Sequence, residues 1–308
     1  MMKEGSPAAA LWSRAYLLLT LTALFWAGNS IVGRAARELV PPAALSFWRW
    51  SIALALLLPL AWPHLKRDWP VLRTHWPIML ILGALGIGAF NTLLYTGLQS
   101  TTALNAMLIQ SAQPALILTV GALVMQDRTS PRQIAGVIVS LAGVLVIIGR
   151  GDAQTLWALR LNIGDAIIGF AVVLWALYSV LLRRRPIVHP LSFLAASIMI
   201  GVVVIAPVYA AELWRGRLIV PSAGSALAIA YVSVFPSFLA YLFFNRGVEL
   251  IGSAATGQYM NVMPLMGAGL AMLFLGEVLH PFHVVGLALV VAGIAVAGRP
   301  QQPATAAD

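Results

Sequence analysis

Polar side chains recur at helical spacing inside long apolar runs of this chain, and they recur twice. Trp26, Asn29 and Ser30 stand at i, i+3 and i+4, and Asn91 and Tyr95 at i and i+4. About one half-chain later, Trp175, Tyr178 and Ser179 echo the first set, while Tyr241 and Asn245 echo the second with the two residue types exchanged. Residues three and four apart share a helix face, so each set aligns a ring with amide or hydroxyl groups along one stripe. Such stripes either line a cavity for a small molecule or join helices by hydrogen bonds. Gln110, Gln113, Gln258 and Asn261 form a weaker second tier.

Stronger chemistry is scarce. Zero cysteines exclude a thiolate nucleophile, a thiolate metal site and disulfides together. His64, His75, His189, His280 and His283 all fall in loops or at the ends of apolar runs, where no nucleophile and base could be assembled. Glu277, His280 and His283 invite a metal reading, but their spacing crosses the break at Pro281. Neither a catalytic residue, a cofactor nor a metal is expected. Asp127, Asp165, Glu249 and Glu277 sit at run ends, so a carrier that couples through a mid-span carboxylate has no residue for the task. Neutral or zwitterionic cargo is favoured. Arg49 is the one charge well inside a run, about 10 Å from its outer end at 1.5 Å per residue. It could snorkel outward or bind a substrate carboxylate.

The elements that must position these groups follow from composition. Of 308 residues, 60% are hydrophobic and 9% charged, against roughly a quarter charged in an average soluble domain. That excludes a water-faced globule. The net charge of +9 does not point to nucleic acid, because the basic residues lie between apolar runs rather than along one face. Ten runs of membrane-spanning character are expected, at 15–33, 43–61, 77–97, 102–124, 132–149, 163–182, 190–211, 225–245, 253–275 and 282–298. Substantial loops are expected only around WPHLKRDWPVLRTHW, RGDAQTLWALRLN and ELWRGRLIVPSAGS, with a disordered tail at 300–308. Trp62, Trp69, Trp76 and Trp214 flank runs and read as an interfacial belt.

With both termini cytoplasmic, Lys3, Arg14, Lys66, Arg67, Arg73, Arg128, Arg132, Arg183, Arg184, Arg185, Arg246 and Arg299 lie inside. Arg34, Arg37, Arg150, Arg160, Arg215 and Arg217 lie outside, a ratio of two to one that supports this orientation.

Sliding the chain against itself by 150 residues brings Gly97 onto Gly247, Pro114 onto Pro264, Asp127 onto Glu277, Pro131 onto Pro281, Gly136 onto Gly286 and Gly143 onto Gly293. A shift of 149 brings Trp26 and Ser30 onto Trp175 and Ser179. The first run therefore has an internal counterpart, which argues against its being a cleaved signal peptide. Two homologous five-helix halves, 14–149 and 160–299, are expected. Five is odd, so the halves enter the membrane in opposite senses. Pro114 and Pro264 occupy matching mid-run positions and are expected to kink their helices there. The glycine pairs on the fifth and tenth runs are explained by close helix packing.

LFWAGNS, FWR, the stretch from LYTGLQSTTALNAM to IAGVIVSLAGV, and its echo from NRGVELIGSAATG to VVGLALVVAGI resemble the EamA-type drug/metabolite transporter superfamily over nearly the whole chain. Within it, the chain is similar to the bacterial YddG-type aromatic amino-acid exporters. The resemblance implies an all-α integral membrane protein of ten helices in two inverted repeats around a central cavity, with the fifth and tenth helices peripheral. It implies export of small metabolites across the inner membrane by alternating access, with an amino acid or similar metabolite as cargo, no cofactor, and lipid and substrate as partners, the oligomeric state being left open. Export of other metabolites or drugs stays open within that reading, and an intramembrane enzyme is the alternative from another class.

Overall fold

Where apolar runs lie in hydrocarbon, backbone N–H and C=O groups must be satisfied internally, and helices do this within one segment. The computed structural model describes residues 14–152 and 162–297, with backbone alone at Ser253, Ala254, Gln258 and Asn261. Among the described residues there is no strand. In chain order the helices are α1 (Ala15–Ala35), α2 (Pro42–Thr74), α3 (Trp76–Gly97), α4 (Ala103–Gln110), α5 (Gln113–Met125), α6 (Pro131–Ile148), α7 (Ile163–Leu181), α8 (Pro190–Trp214), α9 (Ala223–Gly252), α10 (Met263–Leu275) and α11 (Pro281–Ala297). The tail at 300–308 and part of the expected RGDAQTLWALRLN loop lie outside the described residues.

Seven of these helices are long and apolar enough to cross a membrane, and α4 with α5, bent by 43°, make an eighth candidate. The expected ninth run is divided into helical residues 253–259, a 3-10 turn at Met260–Val262 and the 13-residue α10, while α11 has 17 residues. Length alone therefore gives seven or eight spans, short of the ten expected from apolar runs.

One expected loop is helix. WPHLKRDWPVLRTHW continues α2 to Thr74, in a 33-residue helix that carries Pro59, Pro63 and Pro70 inside it. Leu65, Asp68 and Leu72, at i, i+3 and i+7, are buried along one face, and that packed stripe holds the helix together past three prolines. At 1.5 Å per residue it reaches about 50 Å, well beyond a hydrocarbon core of about 30 Å. The belt tryptophans Trp62, Trp69, Trp76 and Trp214 are all exposed.

The repeat in residue types is also a repeat in backbone. α3 contains a π-helical stretch, Gly83–Ala89, and α9 contains one at Val234–Leu239, the same place after a shift of 150. α5 ends with Gln126 in the left-handed region (φ 57°) and α10 with Gly276 (φ 63°). The next residues match too: Asp127 N donates to Gly121 O and Glu277 N to Ala271 O, both at 3.3 Å. Pro114 and Pro264 are each the second residue of α5 and α10, directly after the break or turn.

α6 and α11 pack with their backbones almost touching. A Cβ added at Gly136 would lie 2.5 Å from Gly293 O, and one at Gly143 2.5 Å from Gly286 O. Both distances are closer than any side chain allows, so glycine here is a packing requirement.

Candidate functional site

A cavity of about 370 Å³ opens among α1, α2, α3, α4, α5, α7, α9, α10 and α11, so the tenth run, expected to be peripheral, contributes Leu287, Val290, Val291 and Ile294 to the wall. Trp26, Asn29, Ser30 and Asn91 line it from the first half, and Trp175 and Tyr241 from the second. Gln110, Gln113, Pro114 and Pro264 also reach it, so the break between α4 and α5 and its counterpart before α10 both border the space. Each freed turn lets the chain bend around the cavity instead of through it.

Rings form much of the wall. Trp26 sits 5.7 Å from Tyr241, and Trp175 sits 4.7 Å from Phe90 and 5.1 Å from Tyr178, centroid to centroid. Trp26 Nε1 donates to Pro236 O at 3.0 Å, a carbonyl inside the π-helical stretch of α9. Other expected residues lie off the cavity wall. Tyr178 is buried behind Trp175, against Gly86 of the α3 π-helical stretch. Ser179 Oγ donates to Trp175 O within its own helix at 2.8 Å, and Asn245 does not line the cavity. The side chains of Gln258 and Asn261 lie outside the described residues.

Arg49 does not snorkel. It is 3% exposed and reaches into the bundle rather than out of it. Its Nη1 donates to Asn29 Oδ1 at 2.9 Å, Asn91 Oδ1 at 2.7 Å and Tyr95 OH at 2.7 Å, and its Nε donates to Ser237 Oγ. Tyr95 OH in turn donates to Asn29 Oδ1 at 2.6 Å, and the guanidinium lies 4.7 Å over the Trp50 ring. The Asn91 and Tyr95 pair read from spacing thus meets Asn29 and Arg49 in one buried network. Ser237 could not be read from spacing, because it belongs to the π-helical stretch, where the 3.6-residue period is lost. Pro236 beside it, and Gly83, Gly86 and Gly88 in α3, were the visible sign that those helices are irregular.

Away from the cavity wall, several helix ends are tied together by hydrogen bonds around α4. All eight residues of α4 are buried, and Glu277 receives the N–H groups of Ala103 (2.9 Å) and Leu104 (2.7 Å) on its two carboxylate oxygens. A carboxylate at a helix N-terminus satisfies orphan donors and meets the positive end of the dipole. Beside it, Asp165 is fully buried and receives hydrogen bonds from Thr101 and from Asn105 Nδ2 (3.2 Å to each oxygen), while Asn105 Oδ1 lies 2.9 Å from His283 Nε2. Val220 N donates to Leu39 O (2.8 Å) and Arg34 Nη1 to Leu98 O (2.8 Å). Among the described residues no group of His and acidic side chains could hold a metal ion.

A bundle of apolar helices with a buried polar centre suits a small molecule within the membrane, and comparison with known proteins says to which family it belongs. The family model described as the EamA-like transporter family matches residues 13–149 and again 162–299. The chain belongs to the EamA-like transporter family. It is 29% identical over 286 residues to the uncharacterized transporter YyaM of Bacillus subtilis, covering 92% of both chains. It is 26% identical over 290 residues to a probable terminal-alkyne amino-acid exporter of Streptantibioticus cattleyicolor, covering 93% of this chain and 94% of that one. A solved structure described only as the crystal structure of a protein aligns with a TM-score of 0.61 over 92% of this chain and 96% of that one, at 21% identity, a likeness of fold alone. As an EamA-like transporter, the chain is a multi-pass membrane protein with a small-molecule cargo, not an enzyme.

Proposed function

We propose that the protein is a secondary transporter that exports small neutral or zwitterionic metabolites, amino acids including aromatic ones, across a bacterial inner membrane by alternating access. In this reading the chain makes ten passes, in two inverted halves with both termini cytoplasmic, and stands close to the YddG-type exporters. The observation that carries it is one ring-lined cavity to which equivalent positions of both halves contribute, Trp26 with Trp175 and Pro114 with Pro264. The named activity of the Streptantibioticus relative, amino-acid export, supports the choice of cargo.

The repeat supplies the movement. Glu277 caps the N-terminus of α4 at Ala103 and Leu104, and a shift of 150 turns those partners into Asp127, Ser253 and Ala254. Asp127 now pairs with Arg183 at 2.6 Å in an exposed bridge, and Gly252, the counterpart of the α4 N-cap Thr102, breaks α9 with φ 82°. In the opposite state Asp127 caps residues 253 and 254 and Glu277 releases α4. The two carboxylates then serve as exchanging latches. The test is counterflow: liposomes holding the purified protein and loaded with unlabelled phenylalanine, methionine or another metabolite should accumulate the labelled compound. Absence of counterflow for every amino acid, with counterflow of another metabolite or drug, would reassign the cargo.

A further inference from the structure

Arg49 is a buried cation without an anion. No ion pair among the described residues includes it, and its partners Asn29, Asn91, Tyr95 and Ser237 are all neutral. A guanidinium at 3% exposure inside a membrane bundle is costly, and the hydrogen bonds it donates to neutral acceptors replace only part of its hydration. Buried charges are ordinarily paired. The geometry also leaves one edge uncommitted: Nε and Nη1 are spent on the cage, while Nη2 forms no hydrogen bond with any described residue. Arg49 lines the cavity, and among the described residues no Asp or Glu does.

Resting on the reading of this cavity as the cargo's path, we propose that Arg49 Nη2 docks a carboxylate of the transported molecule, whose apolar part lies among Phe90, Trp26, Trp175 and Tyr241. The cage fixes the guanidinium plane from two sides, so little side-chain freedom is lost when a carboxylate arrives. Because no acidic side chain is present to hold an ammonium group, the amino group of an amino acid is dispensable and the carboxylate is not. The substrate class becomes small organic carboxylates with an apolar body, of which amino acids are one part.

Binding to the detergent-purified protein, followed by intrinsic tryptophan fluorescence, tests this with four probes: phenylalanine, 3-phenylpropanoate, phenylalaninol and phenylalaninamide. Both carboxylates should bind, and the alcohol and the amide about 10- to 100-fold more weakly, the range expected for a charge-assisted hydrogen bond. Arg49→Gln should lose that same factor for the carboxylates only, with Arg49→Lys between, both judged folded by melting and by elution as a single species. If a variant does not fold, the four-probe series on the native protein stands by itself. Equal binding of acid and alcohol, no saturable binding of either carboxylate, or undiminished carboxylate binding by folded Arg49→Gln would overturn the proposal. Counterflow of the same probes separates the two readings. Transport of phenylalaninol as fast as phenylalanine leaves the carrier standing and removes the carboxylate site; selective carboxylate binding without counterflow of any probe does the reverse.

Discussion

At the scale of single residues, the cavity is a set of rings around one caged charge, and the rings set how well an apolar cargo is held. Trp26 and Trp175, repeat mates, both line it. Truncating either removes the contact to Tyr241 or to Phe90, and an aromatic pair contributes about 0.5–1.5 kcal/mol beyond its area, so Trp26→Ala and Trp175→Ala should each slow counterflow about 3- to 10-fold. Membrane insertion, read from the yield of extracted protein, should not change, since one residue among many apolar helices alters insertion little. Normal counterflow in both variants would make these residues packing. Asn29, Asn91 and Tyr95 were legible because buried polar groups in apolar runs are costly and therefore conspicuous. Their meeting with Arg49 was not, since spacing reports which face a side chain takes and nothing about which helix that face meets. The same limit hid the depth of Asp165, read as a helix-end acid and found fully buried beside Asn105 of α4.

At the scale of elements, the second half repeats the backbone of the first down to its irregular turns, yet not every residue suits the turn it inherits. Gln126 closes α5 with φ 57°, where the mate Gly276 closes α10. A side chain in the left-handed region is strained and glycine is not, so Gln126→Gly should stabilise the protein by about 1 kcal/mol. A lower melting temperature for that variant would show that the Gln126 side chain outweighs its backbone strain. A second element is tuned by pH. His189 is the N-cap of α8, its Nδ1 accepting from Leu191 N at 3.2 Å, and its ring stacks on His64 at 3.6 Å. Burial first, then repulsion from His64 and Arg67, holds its pKa below the ordinary 6.5, against the opposing pull of Asp68 and Glu249. The folded state therefore prefers the neutral ring. This stabilisation is complete above about pH 6.5 and declines as the pH falls toward the depressed folded value, where protonation at Nδ1 also removes the cap. The melting temperature should drop between pH 7 and 5, and His189→Asn, which keeps a capping oxygen without titrating, should flatten the drop. Of these elements, the apolar runs and the prolines at the breaks were legible. The helical extension of α2 was not, because three prolines and a cluster of charge outweigh, in a local reading, a buried stripe whose partners, Met79 of α3 and Ala196 of α8, lie on other helices.

At the scale of the molecule, the question is which end opens. Glu277 binds two N–H groups of α4, and the carboxylate of Asp127, its mate, pairs with Arg183 in an exposed bridge. If the two carboxylates are exchanging latches, weakening one must favour the state held by the other. Glu277→Gln leaves one acceptor oxygen and turns an N–H donor toward a helix N-terminus that has donors of its own. Losing part of a charge-assisted contact of about 1.5–3 kcal/mol should move the balance of states roughly tenfold. Ser111 reports on this, since it lines the cavity near the break between α4 and α5, and the cysteine-free chain gives no background. In a Ser111→Cys background, a membrane-impermeant thiol reagent applied from the Glu277 side should label faster after Glu277→Gln and more slowly after Asp127→Asn. From the opposite side the order should reverse. A cysteine at Arg215, in the turn after α8, marks the Glu277 side, and one at Arg128, beside Asp127, marks the other, so the same reagent fixes the topology before the kinetics are read. Labelling of both markers from one side would sink the inverted arrangement. Rates at Ser111 that move together in both variants would leave the arrangement in place and remove the latches.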